Sequence, residues 1–325
     1  MSIDETTLTN ANRMTWVLRG VRNWSAFDWA IICAVIAVDL MFAASTGVGI
    51  ETLHGGYPAM VALMLGLWAL LSLVSNLTGV ARGTAWIAEL PAKLSLALAA
   101  LATLQYYAVW ISAPTPLWDD LLIHIDQALG FDWMTVCRWL LSMPPVVQVL
   151  NLAYEALLPE VAVVLLVLVF VSPDGARRFT TALILSLLPT IAILWLMPVE
   201  GAFAHYQVAS PDFVTIFRQL RLHELTTIPA ITDGIISFPS YHACAAVLLA
   251  YLVRPIPIAF PVVIIVNGLM VAATPLFGGH YLTDVLAGIV VAAVTIVLLE
   301  HQRRSTSKSE LARAGGLARK KELAP

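Results

Sequence analysis

The sequence predicts an all-α, polytopic membrane protein with about eight transmembrane helices, and three observations carry that prediction. Hydrophobic residues fill 59% of the 325 positions and charged residues only 12%, far from the balance of a soluble domain. The apolar residues gather into runs long enough to cross a hydrocarbon core. The 18 lysines and arginines fall mostly on alternate connections between those runs.

In chain order, residues 1–26 are polar, carry Arg13, Arg19 and Arg22 and lack an apolar core, which suits a cytoplasmic segment lying on the membrane face. The first apolar run, 27–48, is too long for a signal-peptide core and has no convincing cleavage site, so it is expected to remain as a span. Further spans are expected at 57–79, 92–112, 146–171, 179–199, 239–254, 257–275 and 280–299, followed by a basic cytoplasmic tail over 301–325. With the N-terminus inside, fifteen basic residues lie on inner segments, and three, Arg138, Arg218 and Arg221, on outer ones. The positive-inside rule then puts both termini in the cytoplasm and the starts of the sixth and eighth spans at the extracytoplasmic face, as in a bacterial inner membrane. An Asn76-Leu77-Thr78 sequon falls on the inner side and reads as chance.

Two outer segments are not spans. Residues 114–133 place Leu117, Leu121 and Ile125 near one face and Asp119, Asp120 and Asp126 elsewhere, the pattern of a short helix lying in the interface. Residues 200–238 form the longest loop, and long loops inside compact domains are usually functional. Cys33, Cys137 and Cys244 have no paired spacing, so neither a disulfide framework nor a zinc site is expected. No repeat, second soluble domain or nucleic-acid-binding charge pattern stands out.

Two stretches carry the chemistry: Phe238-Pro239-Ser240-Tyr241-His242-Ala243 and Gly278-Gly279-His280-Tyr281-Leu282-Thr283-Asp284. Each sets a histidine at the start of an apolar run, where a helix enters the membrane. His280 and Asp284 are four apart and share a helix face. At that spacing a carboxylate can hold an imidazole in one tautomer and leave its other nitrogen free to react. His242 is the second acid–base candidate. Ser240 and the backbone N–H groups opening its helix form a candidate anion seat.

"FPSYHA", followed about forty residues later by "GGHYLTDVLAG", resembles the second and third signature motifs of the type 2 phosphatidic acid phosphatase (PAP2) superfamily. It looks closest to the branch containing inositol phosphorylceramide synthase and the sphingolipid synthases. The motif region is 238–288 within a membrane domain of 27–300, and the resemblance implies that the last six spans form the core bundle. It also implies that His280 is a phosphoryl nucleophile, that Asp284 supports it and that His242 protonates the leaving group. Ala273 and Thr274 stand where the phosphatase branch has a Ser-Arg pair, and the first motif's lysine and Arg-Pro are missing from "FRQLRLHELTTIP". Missing the arginine is what the synthase branch looks like.

Arg218 and Arg221 are the natural candidates for a phosphate, because a guanidinium matches it in a bidentate fashion. Asn151, Tyr154 and Glu155 form a polar stripe at helical spacing, either a wall of the head-group cavity or an internal clamp. An ionisable group in hydrocarbon is costly, so Glu155 is expected to face the protein interior. Asp39 raises the same question in the first span, where a structural role is favoured. His124, His205 and His223 read as solvated or interfacial, and His301 as a tail residue.

The motif residues alone leave alternatives open. His242, His280 and Asp284 can merely satisfy one another at a helix end, or supply three ligands to a metal. The neighbouring glycines and Pro239-Ser240 favour a phosphate seat. The reading is a metal-independent, cofactor-free phosphatase or phosphotransferase acting on a phospholipid, sphingolipid or polyprenyl phosphate through a phosphohistidine, with water or a hydroxyl as acceptor. The rival is a non-catalytic lipid-binding or transport protein on the same scaffold.

Overall fold

The computed structural model describes residues 5–50, 62–63, 65–70, 73, 85–208, 211–228 and 234–322. The chain runs α1 (Glu5–Thr46), β1 (Gly49–Ile50), α2 (Ala85–Ile111), α3 (Asp119–Ala128), α4 (Trp133–Leu141), α5 (Pro144–Glu155), α6 (Leu157–Val171) and α7 (Pro173–Leu196). It continues through α8 (Ala202–His205), α9 (Asp212–Arg221), β2 (Thr227–Ile228), α10 (Tyr241–Val253), α11 (Ala259–Phe277) and α12 (Leu282–Glu322). The protein is an all-α polytopic membrane protein. Five described stretches are long and apolar enough to cross a bilayer: Ala26–Thr46, Glu89–Ile111, Pro173–Leu196, Ala259–Phe277 and Leu282–Ser305.

Two expected spans differ, and a third is described only in part. That over 57–79 lies mostly outside the described residues, as does the sequon; the described part is helical, and Trp68 stacks on Trp29 with ring centroids 5.3 Å apart. The run 146–171 is divided at Ala156 into α5 and α6. Its N-terminal part instead pairs with α4 across a bend of 110°, because Pro144-Pro145 can open a helix but not continue one. The sixth, α10, has only 13 residues.

Packing follows the apolar surfaces. Leu168, Phe179, Leu183, Leu248, Met270 and Ala292 tie α6, α7, α10, α11 and α12 into one core. Lys93, one of the fifteen cations assigned to inner segments, is buried, 3.5 Å from Asp28 and 3.4 Å from Glu89. Asp28 also accepts a bond from the Thr181 hydroxyl at 2.9 Å, so the cluster joins α1, α2 and α7.

The segments 114–133 and 200–238 hold more regular structure than their composition suggests. The stretch 200–238 contains α8, α9 and β2, and α9 buries Val214, Phe217 and Leu220. β2 pairs in parallel with β1; strands of two residues leave no alternation to read in the sequence. α3 lies where an interfacial helix was expected. Its leucine face, however, is the outer one: Leu117, Leu121 and Ile125 are exposed, while Asp119 and Asp126 are buried with Leu122 and Ile123.

Candidate active site

Four helix ends meet at one end of the bundle: α10 and α12 begin there, and α5 and α11 finish there. α10 sits directly on α12 because residue 288 is glycine; a Cβ there would lie 2.2 Å from the Ser240 carbonyl oxygen. The Ser240 N–H donates to the Asp284 carbonyl at 3.0 Å, fixing the two motif helices together. The end of α11 is shaped by Pro275, which cannot donate to the Val271 carbonyl. The Thr274 hydroxyl takes up that carbonyl at 2.8 Å. The Thr274 carbonyl in turn accepts from the N–H groups of Gly278 at 2.9 Å and His280 at 3.4 Å, which turns the chain into the His280 loop.

α12 starts at Leu282, so Tyr281 is its N-cap and Asp284 its third residue. Asp284 reaches back to the Tyr281 N–H with Oδ2 at 2.8 Å, the geometry of a capping box. The same oxygen lies 3.4 Å from His280 Nδ1. In the tautomer whose Nδ1–H faces the carboxylate, Nε2 is the nitrogen that carries the lone pair. Burial pulls the His280 pKa below the ordinary imidazole value, opposed by the Ser237 backbone, and favours the neutral ring.

Gly278 shows what surrounds Nε2. A Cβ there would sit 2.9 Å from His280 Nε2, 2.5 Å from its Cδ2 and 2.9 Å from the Tyr154 hydroxyl oxygen. The Tyr154 ring stacks on His242, with centroids 4.2 Å apart and planes 10° from parallel. His280, Tyr154 and His242 therefore converge on one spot. The glycines before His280 serve this close approach: Gly278 makes room for the histidine and tyrosine, and Gly279, at φ +60, for the ring of Phe203.

The other predicted residues divide. Ser240 is fully buried, and its hydroxyl caps α10 by accepting from the Ala243 N–H at 3.4 Å, so its side chain is committed locally. Arg221 is also committed: it donates to the Ser112 carbonyl at 2.9 Å, the Ser112 hydroxyl at 3.2 Å, and the Ala113 and Thr115 carbonyls at 3.1 and 2.5 Å. Burial pulls its pKa below the usual guanidinium value. It is a strut for the turn after α2, bonded to four acceptors there. Arg218 pairs through Nε with Glu200, which raises its pKa, and its guanidinium stays half-exposed. Of the polar stripe, only Tyr154 reaches the histidines. Asn151 and Glu155 are exposed, against the expectation for Glu155, and Glu160 of α6 is the acid that finds a partner inside the bundle, Asn267 Nδ2 at 2.6 Å.

His124, His205 and His223 are exposed, and His223 stacks on Trp110 at 4.1 Å. Asp39 is buried in α1, with Oδ1 lacking a hydrogen-bond partner among the described residues. Among those residues no three histidine, cysteine or acidic side chains are grouped to hold a metal ion.

Sequence reasoning missed Asp119 and Asp126. Asp119 accepts from the Tyr281 hydroxyl at 3.0 Å and the N–H groups of Gly201 and Glu200 at 2.9 and 3.1 Å. Asp126 accepts from the N–H groups of Leu282 and Thr283, both at 2.8 Å, and from the Thr283 hydroxyl at 2.5 Å. The signal was their seven-residue spacing, which puts both on one face of α3.

Residues 120–298, more than half of the chain, match the family model described as the PAP2 superfamily. The chain belongs to the PAP2 superfamily. No curated protein and no solved structure matches it. The PAP2 match opens at the first turn of α3 and closes within α12, so it takes in Asp126, Tyr154, His242, His280 and Asp284 and leaves α1 and α2 outside. Membership in this superfamily points to phosphatase or phosphotransferase chemistry on phosphorylated lipids.

Proposed function

We propose that the protein transfers a phosphoryl group from a phosphorylated lipid by double displacement at the extracytoplasmic face, with His280 as nucleophile. The observation that carries this reading is the Tyr154 side chain between the two histidines, its ring stacked on His242 and its hydroxyl beside His280 Nε2. The neutral His280 attacks phosphorus through Nε2, and its Nδ1–H is held by Asp284 as positive charge develops on the ring. The P–O bond to the leaving group breaks with its electron pair going to oxygen, and His242 supplies the proton to that oxygen. A phosphomonoester entering between two imidazoles brings the negative charge that keeps one of them protonated.

In the second step the now neutral His242 takes the proton from the acceptor hydroxyl, whose oxygen attacks the phosphohistidine and releases His280 neutral. Arg218 and the N-terminal end of α10 meet the charge spread over the phosphoryl oxygens. Thr274, occupied with the α11 backbone where the phosphatase branch has arginine, supports a synthase-like site whose acceptor is a lipid or polyol hydroxyl.

Purified protein in detergent, presented with phospholipids, sphingolipids and polyprenyl phosphates, with and without hydroxyl acceptors and with EDTA, tests this. Chelator-insensitive transfer to a hydroxyl is the expected result. Release of inorganic phosphate alone makes it a phosphatase. No turnover on any member of the panel leaves the binding or transport scaffold.

A further inference from the structure

The first turn of α12 lacks a side-chain cap from its own N-cap position. Tyr281 cannot accept bonds from the N–H groups of residues 282 and 283, which would otherwise be orphaned at the helix start. The missing acceptor comes from another helix. Asp126 of α3 takes the Leu282 N–H on one oxygen and the Thr283 N–H and hydroxyl on the other, and it is buried in doing so. One α3 turn pair earlier, Asp119 holds the Tyr281 hydroxyl and the Gly201 N–H. Gly201 precedes Ala202, whose N–H donates to the Gly279 carbonyl at 2.8 Å. The two carboxylates thus grip the chain on both sides of His280, one directly at residues 281–283 and one also through 201–202.

We propose that Asp126 and Asp119 are positioning residues for His280: α3 sets the aim of Nε2 by supplying the cap that α12 lacks. The proposal rests on the phosphoryl-transfer reading above. Neither carboxylate touches the reacting atoms, so their effect falls on the rate of the covalent step and not on substrate affinity. A carboxylate at Asp126 can face both backbone donors, whereas an amide presents one oxygen and one NH2 group, leaving one N–H opposite another donor. The Thr283 hydroxyl adds a third bond to the carboxylate, on the oxygen that takes the Thr283 N–H.

The test compares wild type, Asp126→Asn, Thr283→Val and the double variant, using a lipid phosphate and a nitrophenyl phosphate. It measures kcat, KM, melting temperature and trapped phosphohistidine. Asp126→Asn is expected to lower kcat by about a hundredfold, the scale of a reacting group displaced by an ångström, with KM within about twofold for both substrates. Thr283→Val should lower kcat less, and the double variant should be no slower than Asp126→Asn, because both act through one carboxylate. If Asp126→Asn does not fold, Thr283→Val alone must still lower kcat at constant KM. A folded Asp126→Asn with wild-type kcat, or a loss expressed in KM, overturns this proposal while phosphoenzyme in the wild type preserves the mechanism. A wild type that forms no phosphoenzyme overturns both.

Discussion

The Tyr154 ring lies flat against His242 at 4.2 Å, while its hydroxyl oxygen reaches the space beside His280 Nε2. One side chain thus meets both histidines in different ways. Tyr154→Phe keeps the stack and removes the hydroxyl. If that hydroxyl donates to a phosphoryl oxygen in the transition state, kcat falls by about a hundredfold, as for one oxyanion donor. Tyr154→Ala also frees the His242 ring and should be slower still. Steady-state kinetics on the two variants checks this, and a full rate in Tyr154→Phe removes the hydroxyl from the mechanism.

Gly278→Ala is expected to slow turnover sharply without unfolding the protein. The added methyl would overlap the His280 ring and crowd the Tyr154 hydroxyl, displacing one or both, at a cost of about a hundredfold or more in kcat. Gly268→Ala is the control, since a Cβ at Gly268 meets nothing within 4 Å. It should keep full activity and a melting temperature at or above that of the parent, because alanine favours the helix by about 0.5–1 kcal/mol.

The two arginines near this end should fail differently. Arg221→Gln loses charge-assisted bonds to the turn after α2, worth about 1.5–3 kcal/mol each, so its melting temperature should drop by several degrees. Arg218→Gln has little to unfold, since an exposed ion pair contributes little. It should raise KM for a lipid phosphate by about tenfold, the equivalent of one such bond to phosphate. Melting curves and KM for both variants decide the matter, and an Arg218→Gln enzyme with unchanged KM would remove it from the phosphate site.

Orientation is testable with the ends of the bundle. Gln127 on α3 is exposed at the catalytic end, and Ser305 is exposed at the far end of α12. In a Cys33→Ala background, Gln127→Cys should react with a membrane-impermeant thiol reagent on intact cells and Ser305→Cys should not. The opposite labelling would place the site in the cytoplasm.

What the sequence disclosed and what it withheld have a physical division. His280 and Asp284 were legible because their partnership is local: four residues on one helix dictate it. His242 was legible from its place at a second helix start. Asp126 and Arg221 were not, because their partners are 156 and 109 positions away; the seven-residue spacing of Asp119 and Asp126 gives them a shared face but does not tell a carboxylate that caps a distant helix from one facing water. The cost of an acid in the membrane was sound reasoning applied to the wrong residue. Glu155 closes α5 and is exposed, whereas Glu160, a turn and a half on, is the acid held within the bundle. The division of the 146–171 run was similarly hidden, although Pro144-Pro145 marks its beginning.

In the proposed reaction His280 Nε2 forms the bond to phosphorus. Rapid quench of the wild type, His242→Ala and His280→Ala with a nitrophenyl phosphate, followed by peptide mapping of the acid-labile phosphate, tests it most directly. A nitrophenolate leaves without a proton donor, so His242→Ala should still accumulate phosphohistidine, mapped to His280, while His280→Ala should accumulate none with any substrate. Phosphate trapped on His242, or turnover of the activated substrate by His280→Ala, would rule out His280 as the nucleophile.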